Sequence, residues 1–102
     1  VNPFTEKVVK QIKAIPKGKV RSYSEIAREA GNPRGARQVA RILHSMSAKY
    51  DLPWYRVVNA QYHVSLPAGA ARDQQINCLR QEGIDVDDQG RIDLSQFKRK
   101  AD

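Results

Sequence analysis

Hydrophobic positions fall into short runs with helical spacing, each closed by a stop signal. Phe4, Val8, Val9, Ile12 and Ile15 recur at intervals of three and four, with Lys7, Lys10 and Lys13 off that stripe. This is the pattern of an amphipathic helix. Asn2-Pro3 supplies its cap and first turn, and Ile15-Pro16 ends it before the turn at Lys17-Gly18-Lys19. Val20-Arg21 reads as a short extended piece. Ser22-Tyr23-Ser24-Glu25 forms a capping box that opens a second helix through Ile26, Ala27 and Ala30, stopped at Gly31. Gly31-Asn32-Pro33-Arg34-Gly35 then leads into a third helix, expected to run to about Met46. Its apolar arc is Val39, Ile42, Leu43 and Met46.

The second half alternates strand and helix signals. Tyr55-Arg56-Val57-Val58-Asn59 and Tyr62-His63-Val64-Ser65 are expected to pair as strands around Ala60-Gln61. Leu66-Pro67-Ala68-Gly69 is a loop. A helix is predicted over residues 70–81, with Ile76 and Leu79 inward and Gly83 past its end. Ile84-Asp85-Val86 and Arg91-Ile92-Asp93-Leu94 suggest a hairpin, and the tail Lys98-Arg99-Lys100 is expected to fray and to be free for weak phosphate contact. The predicted fold class is mainly α with a small β wing and hairpins. It is a winged-helix-like helix-turn-helix domain, single over residues 1–102, without repeats or linkers.

Composition narrows the chemistry. A chain of 102 residues fits one domain, burying about 60–70% of its unfolded surface. Cys78, His44 and His63 are too few for structural zinc, and one cysteine excludes an internal disulfide framework. No apolar run spans a bilayer, and Val-Asn-Pro-Phe-Thr-Glu lacks signal-peptide character. The expectation is a cytoplasmic monomer with neither metal nor cofactor. His44 and His63 match no catalytic constellation and read as surface or wing residues. Cys78 lies on an apolar-periodic helix and reads as a small hydrophobe.

Charge adds direction. Residues 1–56 carry 12 Lys+Arg against 4 Asp+Glu, while residues 57–102 carry 6 against 7. One basic half beside a neutral half suggests a face for a polyanion, and nucleic acid above all. Arg34, Arg37 and Arg41, spaced by three and four, line nearly the opposite side of the third helix from its apolar arc. They can form an ordinary solvated face or a recognition helix on DNA phosphates.

The segment Pro53-Trp54-Tyr55-Arg56-Val57 resembles the Pro-Cys-His-Arg-Val pattern of O6-alkylguanine-DNA alkyltransferases. It is closer to the alkyltransferase-like proteins, in which the reactive cysteine is replaced. The resemblance extends through Ile15-Pro16-Lys17-Gly18-Lys19-Val20-Arg21-Ser22-Tyr23, Gly31-Asn32-Pro33, Ala36-Arg37-Gln38-Val39 and Gln81-Glu82-Gly83. It covers residues 4 to about 86, with motif order and spacing kept.

The resemblance implies specific roles. Tyr23 matches the tyrosine that pushes on the phosphate of the target nucleotide, and Arg37 the arginine that fills the vacated place in the stack. It implies approach from the minor groove, with Ser22, Asn32, Arg34, Arg41 and Arg56 as further DNA contacts. Pro53, Trp54, Tyr55, Val57, Leu66 and Pro67 would line a lesion pocket. Trp54 offers no thiolate, Tyr55 replaces the activating histidine, and Met46 stands where transferases have an asparagine. The chain is therefore read as non-enzymatic. The implied partner is double-stranded DNA carrying O6-alkylguanine, with nucleotide excision repair proteins downstream. Arg72 is a candidate reader of the guanine edge. The alternative is a winged-helix DNA-binding regulator that never flips a base.

Overall fold

The computed structural model describes residues 2–93 and Ser95. The basic tail at Lys98-Arg99-Lys100 and residue Leu94 of the expected hairpin lie outside them. The element order is α1 (Pro3–Lys13), β1 (Arg21–Ser22), α2 (Tyr23–Glu29), α3 (Ala36–Tyr50), a 3-10 turn (Trp54–Arg56), β2 (Val57–Val58) and α4 (Ala70–Gln81).

The caps form as the sequence implies. Asn2 Oδ1 accepts from the Phe4 N–H at 2.8 Å, with Pro3 opening α1. In α2 the Ser22 hydroxyl accepts from the Glu25 N–H at 3.1 Å, and Glu25 Oε1 accepts from the Ser22 N–H at 3.0 Å. These bonds satisfy donors that a helix start otherwise leaves unpaired. The third helix begins at Ala36 and runs one turn beyond Met46, to Tyr50, where Asp51 turns left-handed. Tertiary packing extends it: Tyr50 lies against the helical core, with the ammonium groups of Lys13 and Lys49 5.3 and 5.4 Å from its ring.

Two apolar clusters make up the interior. The first joins α1, α2 and α3 through Val8, Ile12, Ile26, Ala27, Val39 and Leu43, with Leu52 and Val57 closing it. The second collects Val20, Val58, Val64, Ile76, Leu79, Ile84, Val86 and Ile92. Adjacent strand residues face opposite sides. Val57 therefore enters one cluster and Val58 the other, and the two-residue strand β2 links both.

The expected pairing of residues 55–59 with 62–65 is not what forms. β2 instead pairs in parallel with β1, Arg21 opposite Val57 and Ser22 opposite Val58. Asn59 Oδ1 accepts from the N–H groups of Gln61 and His63, which curls the intervening residues into a local turn. The outgoing segment then pairs with the C-terminal hairpin: His63 bridges Arg91, and the Val64 N–H donates to the Gly90 carbonyl at 2.8 Å. Gly90 has φ +81, and a Cβ there would lie 3.2 Å from Val64 and 2.8 Å from the Arg72 guanidinium. Only glycine fits that approach. The hairpin itself forms as expected, with Val86 bridged to Ile92.

One ion pair ties three segments together. Arg56 Nη2 lies 2.6 Å from Glu82 Oε2, Arg56 Nε donates to Glu82 Oε1 at 3.0 Å, and Arg56 Nη1 donates to the Ile15 carbonyl at 2.9 Å. The Gly18 N–H completes the set by donating to Glu82 Oε1 at 3.2 Å. Arg56, expected on DNA, is thus turned inward and engaged by the end of α1 and the end of α4. Burial alone would raise the Glu82 carboxyl. The hydrogen bonds from Arg56 and Gly18, with the guanidinium charge, outweigh it and hold the carboxyl below its ordinary value.

Glu82→Ala is expected to destabilise the fold by about 2–4 kcal/mol, because it leaves a largely buried guanidinium unpaired. Because the folded carboxyl titrates below its ordinary 4.5, the pair's contribution is complete above that pH and is lost as pH falls through the depressed value. Glu82→Gln should therefore show a shallower loss of stability on acidification than wild type. Urea melts across pH 3–7 check both; equal acid slopes would contradict the assignment.

Candidate nucleic-acid interface

The helix-turn-helix is built from α2, a turn at residues 30–35, and α3. Asn32 organises that turn: its N–H donates to the Ala27 carbonyl at 2.9 Å, and its carbonyl accepts from the Gly35 N–H at 2.9 Å. Its Nδ2 donates to Gln38 Oε1 at 3.2 Å, and its Oδ1 faces the Arg34 N–H at 3.3 Å. Both ends of the Asn32 side chain therefore have partners within the protein. Ser22 is buried, with its hydroxyl in the capping box, so it shapes α2 from within and presents no side chain to solvent.

Arg34 stands in the turn and not on the helix, which begins two residues later. Arg37 and Arg41 follow on exposed α3 positions one turn apart. Among the described residues, none of these three has a carboxylate within ion-pair distance. Arg21 differs: it is paired with Glu29 and lies 3.8 Å from Glu25. Glu25 also accepts from the Tyr62 hydroxyl. Burial together with that carboxylate pushes the Tyr62 phenol up to about 12.

Beside the arginines lies a pocket of about 340 Å³. Helix α3 lines it with Ala40, Leu43, His44 and Ser47, α2 with Tyr23, and the 3-10 turn with Trp54. Leu66 from the loop and Ala71 and Gln75 from α4 complete the wall. Arg37, Ala40, His44 and Ser47 recur at three- and four-residue spacing along one stripe of α3. Arg37 therefore continues the row that lines the pocket. Tyr23 is half-buried, with its hydroxyl toward Ser65. Burial raises this phenol, against the lowering by Ser65, so it stays a neutral donor at physiological pH.

The pocket brings together two of the residues expected there, Trp54 and Leu66, and adds Tyr23, which was expected on the target phosphate. Val57 is fully buried in the helical core, and Pro67 is exposed on the loop. Pro53 precedes the 3-10 turn and is not part of the pocket wall. Tyr55 turns the other way and packs against the second cluster, its ring edge-on to Trp54 at 6.0 Å and 5.4 Å from the Arg56 guanidinium. Successive residues of a tight turn diverge, so Trp54 and Tyr55 cannot both face one cavity. Arg72 lies elsewhere as well, against Gly90.

His44 and Gln75 are among the wall residues that the sequence reading did not place at the pocket. His44, assigned to the surface, sits on the Arg37 stripe, and that register was the available signal. Gln75 is a polar residue at an inward position of α4, 3% exposed, beside Ile76 and Leu79. No group of three or more His, Cys, Asp or Glu is placed to hold a metal among the described residues, and no helix there is long and apolar enough to cross a membrane.

A helix-turn-helix with free arginines on its second helix, set beside an aromatic-walled pocket, defines a DNA-binding domain with room for an extruded group. The chain belongs to the family of the 6-O-methylguanine DNA methyltransferase DNA-binding domain, whose model matches residues 3–84. It is 41% identical over 98 residues to a DNA base-flipping protein of Vibrio parahaemolyticus, covering 96% of this chain and 97% of that one. Alkyltransferase-like protein 1 of Schizosaccharomyces pombe is 34% identical, over 84% of this chain and 81% of that protein. The S. pombe Atl1 crystal structure in complex with damaged DNA containing O6-carboxymethylguanine superposes with a TM-score of 0.77. The match has 32% identity and covers 92% of either chain. Mycobacterium tuberculosis OGT in complex with DNA gives a TM-score of 0.62 at 27% identity, over 80% of this chain and 50% of that one.

Trp54 is the chain's one tryptophan, so its emission reports on the pocket. Ala71→Phe, which fills the opposite wall, should shift that emission to the blue and reduce quenching by acrylamide. An unchanged spectrum and quenching constant would place Trp54 outside the pocket.

Proposed function

We propose that this protein recognises O6-alkylguanine in double-stranded DNA by extruding the base into the Trp54 pocket, and that it binds the lesion without repairing it. The observation that carries this reading is Trp54 itself. It lines the pocket at the position where the transferase pattern has its alkyl-accepting cysteine. Indole has no thiolate equivalent, so the alkyl group has no acceptor there. The chain's cysteine, Cys78, is half-buried on α4 and is not part of the pocket wall.

The energetics suit capture of a damaged base. Extrusion costs a few kcal/mol, least for a weakened pair, and stacking on an aromatic ring returns about 1–3 kcal/mol. Arg37 is the group to occupy the vacated stack, since guanidinium is planar, always charged and able to stack while donating. Tyr23, the first residue of α2 with its hydroxyl toward Ser65, is the group this reading assigns to press on the target phosphate. Arg34 and Arg41 supply phosphate contacts and with them salt-dependent affinity. A bound, shielded and unrepaired lesion is a flag for excision, so nucleotide excision repair proteins are the partners this reading implies.

Titration of a duplex containing O6-methylguanine against the same duplex with guanine tests the reading. Wild type should prefer the lesion at every salt concentration; equal affinities would favour a regulator that does not extrude bases. Arg37→Ala should lose more lesion affinity than Arg34→Ala, which should lower affinity for both duplexes alike. Mass spectrometry after incubation with alkylated DNA should show the chain unmodified, and an adduct on Cys78 would overturn the non-enzymatic reading.

A further inference from the structure

We propose that the groove between α1 and α3 docks an acidic amphipathic helix of a partner protein. The assignment does not depend on what the Trp54 pocket holds.

The groove follows from how the two helices lie. The Phe4 ring sits against Gly35, where α3 begins, and the Lys13 ammonium lies 5.3 Å from the ring of Tyr50, where α3 ends. Helices α1 and α3 therefore run side by side in the same direction. Thr5, Val9 and Lys13 recur every four residues along one wall, and Ile42, Met46 and Tyr50 do so along the other. Two cavities, of about 690 and 240 Å³, share Thr5 and open along this seam.

The floor is apolar and uncovered. Phe4, Val9, Ile42, Met46 and Tyr50 pack against the first cluster, yet all five stay partly exposed. From Ile42 to Tyr50 the strip is about 12 Å long, at 1.5 Å of rise per residue. That length suits apolar anchors at i, i+4 and i+7 of a helix laid into the groove.

The rim supplies the sign. Lys7, Lys10, Lys13 and Arg41 line the two cavities, where Glu6 is the one carboxylate, and Lys49 lies 5.4 Å from the Tyr50 ring. Among the described residues none of these five cations is in an ion pair. Free cations around an apolar floor complement carboxylates flanking apolar anchors. Charge disfavours nearer occupants: a second copy of this chain, net +7, or its own Lys98-Arg99-Lys100 segment brings the same sign. A DNA backbone meets the cations but leaves the apolar floor without a partner.

The groove also has a flank of its own. Ile42, Ser45 and Met46 stand about half a turn around α3 from Ala40, His44 and Ser47, which line the Trp54 pocket. An occupied pocket therefore leaves the groove open.

Fluorescence anisotropy tests the proposal with labelled synthetic helices carrying leucines at i, i+4 and i+7 and glutamates elsewhere, against scrambled sequences of the same composition. The patterned helices should bind wild type at least about tenfold more tightly than the scrambled ones. Val9→Gln and Met46→Gln should each weaken binding about tenfold, the loss expected for one apolar contact. Lys10→Glu combined with Lys49→Glu, both at exposed positions, should weaken it as much without touching the core, and carries the test should the glutamines unsettle the helices. Lys17→Glu, a charge reversal outside the groove, should change affinity within about twofold. Equal binding of patterned and scrambled helices overturns the assignment, as does a Lys17→Glu loss equal to that of the groove variants. So does a Lys10→Glu, Lys49→Glu variant that loses duplex affinity as much as helix affinity, since the groove is then a DNA contact. None of these outcomes bears on the preference for O6-methylguanine over guanine, which is measured separately.

Discussion

The Arg56–Glu82 pair is the contact on which the two halves of this molecule depend. It joins the end of α1, the turn carrying Trp54 and the end of α4, with the Gly18 N–H and the Ile15 carbonyl as further partners of the two charged groups. A charge removed from water is tolerable only when every such valence is met. Trp54 is two residues from Arg56 in a single 3-10 turn. The pair therefore sets where the indole can point, although neither charged group touches the pocket.

The site is a seam between the two cores. Helix α3 belongs to the first cluster and α4 to the second, and the pocket opens between them, floored by the turn that the ion pair anchors. Strand β2 crosses the same seam, with Val57 in one cluster and Val58 in the other. Gln75 hydrogen-bonds to carbonyls on both sides of Arg56, so the backbone of this turn is held by ion pair, ladder and amide at once. Such redundancy gives the rigidity that a binding pocket needs.

Local signals made most of the elements legible. The Asn2-Pro3 start, the Ser22–Glu25 box, the span of α4 and the C-terminal hairpin depend on residues a few positions apart, whose physics is complete within one turn of chain. Misread features involved distant partners. The wing strand at Val57-Val58 looked able to pair with the following segment, but β1, more than thirty residues earlier, offered a parallel edge while Asn59 curled the chain locally. Arg56 carried the same charge as Arg34 and Arg37, and only Glu82 on another element turned it inward. Gln75 and His44 show the same limit: the register of a helix tells which residues share a face, not what stands opposite.

The sequence alone determined the identities on which the chemistry turns. One tryptophan follows Pro53, arginines lie along one helix, and a tyrosine opens α2. These follow from covalent composition and helical period, and no packing could alter them. The tertiary structure decided which of these groups face a common space. It placed Trp54, Tyr23 and Leu66 around one pocket, turned Tyr55 and Val57 away, withdrew Arg56 into an ion pair, and brought Gln75 in from α4. The reason is physical: a side chain's direction is settled by burial and hydrogen-bond satisfaction against partners far along the chain, and those partners meet only in the folded state.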